Sequence, residues 1–239
     1  MLREREASTA YAMNSSAVAG EQQRFMVRVY NWMATGLTLT AIVAMVVASS
    51  ESMVNMIFNN SFVFFALIIA ELGLVFYLAG FIQRMSAQKA MAVFLGYAAL
   101  NGVTFSFVFV FYTASSIAST FFVTALTFGA MSIYGYTTKK DLTSWGSFLF
   151  MGLIGIIIAS IVNIFLASSM LHWFISCAGV LIFVGLTAYD TQRIKEMNII
   201  GNEGTEEDTK EAISGALTLY LDFINLFLML LRFLGESRE

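Results

Sequence analysis

The chain has 239 residues, 58% of them hydrophobic and 12% charged, with a formal net charge of −3. A soluble domain carries about 25% charged residues, so this composition excludes an ordinary soluble fold and reads as an integral membrane protein whose first partner is the lipid bilayer. One cysteine (Cys177) and one histidine (His172) exclude an internal disulfide and a cysteine metal cluster, and leave a histidine zinc site or a Ser-His-Asp triad a single residue to stand on. No cofactor and no nucleic-acid partner is expected.

Residues 1–24 are polar, mixed in charge and without the apolar core of a signal peptide. They read as a flexible cytoplasmic tail with a short interfacial helix. Apolar runs then predict a transmembrane domain over residues 25–235, followed by a short tail at 236–239. Its seven spans lie near 25–49, 61–82, 89–112, 117–137, 145–167, 169–195 and 212–234. No lysine, arginine, aspartate or glutamate occurs from Ala90 to Thr138 or from Leu142 to Tyr189, and each gap holds two spans. The chain has no proline, so helix breaks fall to glycine, serine and the helix ends.

The basic residues alternate between links. The tail carries Arg3, Arg5, Arg24 and Arg28. The link after span two has Arg84 and Lys89, that after span four Lys139 and Lys140, and that after span six Arg193, Lys195 and Lys210. The links after spans one, three and five have none. Cytoplasmic loops carry the excess of Lys and Arg, which places the N-terminus in the cytoplasm. The seventh segment either spans fully or re-enters; its length favours a span, while Arg232 and Arg238 argue the other way. The link at 196–211 holds six acidic residues. It reads as a solvated, mobile loop, with a weak cation-collecting or partner-binding surface as the alternative.

Three acids fall inside spans: Glu71, Asp190 and Asp222. An aspartate at a helix centre costs about 2.5–3.5 kcal/mol on insertion scales, and such residues face the bundle interior, pair, and mark ion or proton paths. Thr218, Asp222 and Asn225 share one helix face, extended by Ser214, and that stripe must meet protein or water. Thr187 lies one turn before Asp190. If span six runs on to about Met197, Asp190 reaches the depth of Asp222, with Arg193 and Lys195 snorkelling to the interface. Two carboxyls in one low-dielectric site do not both ionise easily; they would share a proton and sense pH without histidine. The plainer reading is that each caps a helix or meets a nearby base. Glu71 reads as a path residue or as a neutral acid bonded across to Asn101 or Thr104. Gly152 and Gly155 read as packing residues.

"LTAYDTQRI" (186–194) followed by "LYLDFINLFLMLLRFLG" (219–235) resembles the closing signature of the Bax inhibitor-1 family, in its bacterial inner-membrane branch. The resemblance extends through "KKDLTSWGSFLFMGL" (139–153) and "AELGLVF" (70–76). It implies an all-α bundle of seven helices, six wrapped around the C-terminal one, and a pH-sensitive calcium leak gated by a buried aspartate pair. By match the pair is Asp190 and Asp222, Glu71 lies on the ion path, and Arg84 is the closest match to an arginine latch. Calcium would be the transported ion, bound at most weakly at Asp190 and Asp222, since it prefers six to eight oxygens. Many members carry proline in the third helix, where this chain reads "NGVTFSFVF". The second reading is a non-conducting regulator that binds other membrane proteins, such as a membrane-bound protease. A third, an intramembrane aspartyl protease, lacks the glycine-flanked aspartate and the Pro-Ala-Leu motif of such enzymes, so no enzyme activity is expected.

Overall fold

A computed structural model describes residues 2–238, with side chains from residue 16 onward. Its helices are α1 (Leu2–Ala48), α2 (Glu51–Phe58), α3 (Ser61–Phe81), α4 (Ala87–Phe111), α5 (Ala114–Thr137), α6 (Thr143–Leu166), α7 (Ser169–Met197) and α8 (Glu206–Leu234). One 3₁₀ turn, Ile82–Arg84, follows α3. All but α2 are long and apolar enough to cross a membrane, which bears out seven spans. Most of the links are short and end in a capping side chain. Ser50, Asn60, Ser86, Thr113, Ser168 and Thr205 each accept a hydrogen bond from a first-turn N–H of the next helix.

Two expectations need correction. The 1–24 tail is not a flexible segment with a short helix: from Leu2 it is helix, continuous with the first span. The stretch is alanine-rich, and neither proline nor glycine interrupts it before Gly20. The acidic link is also shorter than its composition suggests. Helix α7 runs to Met197 and α8 begins at Glu206. Thr205 caps α8, and Glu206, Glu207 and Asp208 fill its first turn, where acids favour the helix dipole.

What remains of that link is pinned rather than mobile. Arg24 holds Glu203 through two contacts, at 2.7 and 2.8 Å. Arg28 reaches Asp208 at 2.8 Å and Glu203 at 3.2 Å. Glu21 accepts from the Gly201 N–H, and Glu206 from the Ala87 N–H. The link from α7 to α8 is thereby tied to α1 and to the start of α4.

The bundle packs through small residues, as helices in lipid must when no hydrophobic force separates protein from solvent. A Cβ added at Gly135 of α5 would stand 2.1 Å from the Ala188 carbonyl oxygen of α7. One at Gly102 of α4 would stand 2.7 Å from the Thr40 carbonyl oxygen of α1. Gly146 of α6 leaves room for the Tyr189 ring, and Gly185 of α7 for Leu149. Gly152 likewise meets Ile182, whereas Gly155 faces open space.

Helix α8 is the most buried span, 44% of its apolar window against 6% in α3 and 11% in α6. It packs chiefly on α1, α4, α5 and α7, while α3 leans on α4 and α6 on α7. Tyr220 anchors it, its hydroxyl 2.8 Å from Thr40 and its ring edge-on to Phe94 and Tyr97. At the far end α8 traverses the bundle fully. The Thr113 N–H donates to the Glu236 carbonyl and the Arg238 N–H to the Phe111 carbonyl, so the chain ends beside the link between α4 and α5.

Candidate functional site

The stretch Asp190–Lys195 closes α7, and nearly every residue in it reaches a different neighbour. Gln192 ties α7 to the link before α6: its Oε1 accepts from the Leu142 N–H and its Nε2 donates to the Lys140 carbonyl, both at 2.9 Å. The Thr191 hydroxyl lies 3.5 Å from that of Ser132 on α5. Lys195 reaches the C-terminal end of α5. Its ammonium donates to the Tyr136 carbonyl at 3.0 Å and sits 4.6 Å from the centre of that ring. With α7 held on both sides, Asp190 is fixed toward α8.

Asp190 and Asp222 are both buried, 8% and 5% exposed, and their carboxyls stand within hydrogen-bonding reach of each other. Helix α7 runs on to Met197, so Asp190 lies about 10 Å inside its end at 1.5 Å per residue. Asp222 sits mid-helix in α8. Its second oxygen, Oδ2, is buried without a hydrogen-bond partner. The polar stripe on α8 falls as its spacing requires: Thr218, Asp222 and Asn225 line one cavity together with Asp190. Thr218 and Asn225 satisfy themselves by donating to carbonyls one turn back.

That cavity, about 760 Å³, lies between α6, α7 and α8. Arg193 lines it and is the base within electrostatic reach of Asp190. Its side chain is exposed near the end of α7, in keeping with a base that reaches toward the interface. Its place beside Asp190 follows from spacing, since residues i and i+3 share a helix face.

The other two candidates stand apart from the pair. Glu71 on α3 accepts a hydrogen bond from Thr104 on α4, one of its two expected partners. Asn101 instead donates to the Tyr97 carbonyl. Glu71 lies within electrostatic reach of Tyr97 and Tyr220. Tyr220 and Asp222, two residues apart, point to opposite sides of α8, and Glu71 is not among the residues around the cavity. Arg84 is exposed on the 3₁₀ turn, 5.8 Å from the centre of the Phe81 ring. Among the described residues it forms no ion pair, so no latch holds the aspartates here.

For a cation, the pair offers two carboxyls. Among the described residues no three His, Cys, Asp or Glu side chains gather into a metal-binding group. A calcium ion here would complete its six to eight oxygens with water and carbonyls.

The family model described as "Inhibitor of apoptosis-promoting Bax1" matches residues 22–239. The inner membrane protein YbhL of Escherichia coli strain K12 is 54% identical over 217 residues, 90% of this chain and 93% of that protein. A Borreliella burgdorferi protein is 48% identical, covering 91% of this chain and 94% of its own length. The membrane protein SpyM3_0260 of Streptococcus pyogenes is 38% identical over 90% of this chain and 93% of its own. The seven spans, the buried aspartates of the last two and a match across nine-tenths of the sequence leave one assignment: the chain is a multi-pass membrane protein of the Bax inhibitor-1 family.

Proposed function

We propose that this protein is a pH-responsive cation leak of a bacterial inner membrane, with calcium as the ion and the Asp190–Asp222 pair as sensor and gate. One observation carries the reading: two buried carboxyls from neighbouring spans face each other in a cavity of about 760 Å³. Two acids so placed hold one proton more readily than none. Losing it puts a second negative charge in a low-dielectric site. The repulsion is relieved by separating α7 from α8 or by admitting a cation, and either event couples proton loss to ion passage. Weak binding by two carboxyls suits conduction, since an ion must leave as readily as it enters. Calcium and protons are then the solutes, and the pair does no covalent chemistry.

The test is calcium entry into liposomes holding the purified chain, with pH stepped between about 8 and 6. Wild type is expected to leak in a pH-dependent way, and Asp190→Asn and Asp222→Asn each to lose that dependence. A pH response unchanged in both variants removes the pair as gate. No leak above empty liposomes leaves the acids structural, and a regulator of other membrane proteins becomes the better reading.

A further inference from the structure

The aspartate pair is one level of a longer polar file. Along α8, Thr218 stands about 6 Å before Asp222 and Asn225 about 4.5 Å after it, at 1.5 Å per residue. All three line the cavity between α6, α7 and α8. Asp222 is buried against Asp190, whereas Thr218 and Asn225 are half-buried. Something that enters the cavity therefore meets these two on either side of the pair.

Their hydrogen bonds decide what they can offer it. The Thr218 hydroxyl donates its hydrogen to the Ser214 carbonyl at 3.2 Å. A hydroxyl has one hydrogen and two lone pairs, so the oxygen is left as an acceptor. The Asn225 amide is held in the same way, Nδ2 donating to the Leu221 carbonyl at 2.8 Å. A backbone carbonyl only accepts, which fixes the amide with Oδ1 turned away from it. Oδ1 has no hydrogen-bond partner among the described residues, and it is not sealed as Oδ2 of Asp222 is. Ser147 and Ser160, on the α6 wall, likewise donate to the Thr143 and Ile156 carbonyls. Four polar side chains of the lining thus turn hydrogen onto their own helices and keep oxygen for a ligand. The donors, Arg193 and the Tyr189 hydroxyl, both lie within one turn of Asp190 on α7.

We infer that Thr218 and Asn225 are the transit ligands of a hard divalent cation, receiving it on one side of the pair and releasing it on the other. It rests on the cation reading of Asp190 and Asp222 and names the residues that select the ion. Carboxylate, carbonyl and hydroxyl oxygens suit hard cations, which take them in sets of six to eight when the ion is calcium. Two carboxyls fall short of that, and neutral oxygens within a turn of them add to the set. They also let the ion step off the carboxyls without first regaining its whole water shell. Past Asn225 the supply stops. Gly179 of α7 meets Met229, one turn beyond Asn225, and Gly152 of α6 meets Ile182 near that depth. From there outward Leu153, Ile157 and Phe183 line the cavity, and Ser160 is the next polar side chain. Asn225 is the last ligand on α8 before this dry stretch.

Leu221 lines the cavity between the two ligands and is half-buried, so Leu221→Cys places a thiol beside them and leaves both intact. The full-length chain carrying it, with Cys177→Ala, is reconstituted in liposomes at about pH 8. Its rate of reaction with a small uncharged water-soluble thiol reagent is measured in calcium and in sodium at equal ionic strength. Leu181→Cys, 72% exposed on the outside of α7, is the control. Leu221→Cys is expected to react faster than the control and to be protected by calcium. Adding Thr218→Val or Asn225→Leu removes one oxygen with little change of shape. Each is expected to raise the half-protecting calcium concentration roughly tenfold, and Thr218→Ser, which keeps the oxygen, to leave it in place. A packing role would not separate the two Thr218 variants. Calcium protection in a chain that does not leak keeps the ligands and removes conduction. Leu221→Cys reacting no faster than the control, no protection by calcium, or protection that survives both Thr218→Val and Asn225→Leu overturns the ligands, and a pH-dependent leak seen alongside leaves the aspartate gate standing.

Discussion

At the scale of single residues, position matters more than type. The bases near the pair show it. Arg193 faces the cavity beside Asp190, whereas Arg84 lies out on the 3₁₀ turn against Phe81. Arg193→Gln is therefore expected to move the midpoint of the pH response of calcium flux, and Arg84→Ala to leave it in place. A midpoint that follows Arg84 instead would mean that the conducting cycle visits a state with that arginine on the pair. The glycines divide in the same way. A methyl group at Gly135 meets backbone that cannot yield, 2.1 Å from the Ala188 carbonyl oxygen. Gly135→Ala should cost about 1–3 kcal/mol through overpacking and push α5 off α7. At Gly73 nothing stands within 4 Å, and Gly73→Ala should leave stability unchanged or slightly raised. Thermal unfolding in detergent compares the two, and equal melting temperatures would contradict the close crossing of α5 on α7.

At the scale of elements, the clasp between α1 and the α7–α8 link separates the pH responses of the molecule. Glu203 lies in that link, outside the spans. Its two hydrogen bonds from Arg24, with Arg28 added, hold its carboxyl down at about 2. A carboxyl lowered by folding stabilises the fold at pH above its ordinary value near 4.3. That contribution fades only as pH falls from there toward about 2. Between pH 8 and 6 the clasp is fully charged and constant. Glu203→Gln is thus expected to leave the pH profile of flux unchanged over that range, which assigns the response to the buried pair. A profile that flattens in Glu203→Gln would move the sensor to the clasp. The clasp also shows what was hidden in the sequence. The acids of 196–211 read as solvent-seeking because composition carries no partner information, and Arg24 and Arg28 lie about 175 residues away. The capping threonine and the acids after it were visible, and Thr205 to Asp208 is a helix-start pattern.

At the scale of the whole molecule, periodicity and length made the seven spans and the α7–α8 aspartate pairing readable. Both depend on local spacing: a polar stripe every three or four residues must turn inward, and α7 had to continue to Met197 for the depths to agree. The α2 helix and the helical start of α1 were not readable in that way, because each depends on what the rest of the bundle leaves open. The ends of the bundle give the last prediction. Arg24, the 3₁₀ turn, the link before α6 and the link before α8 gather at one end through the contacts of Glu203, Lys210, Glu206 and Gln192. The C-terminal residues meet the link between α4 and α5 at the other. Nearly all the basic residues lie at the first end, so the positive-inside rule predicts that end in the cytoplasm and Ser237 outside. In a Cys177→Ala background, Ser237→Cys should react in intact cells with a membrane-impermeant thiol reagent, and Gln23→Cys only after permeabilisation. Labelling of both from the same side would break the seven-span traverse. The opposite pair of outcomes would keep the fold and invert it in the membrane, which would make this chain an exception to the charge rule that its own loops obey.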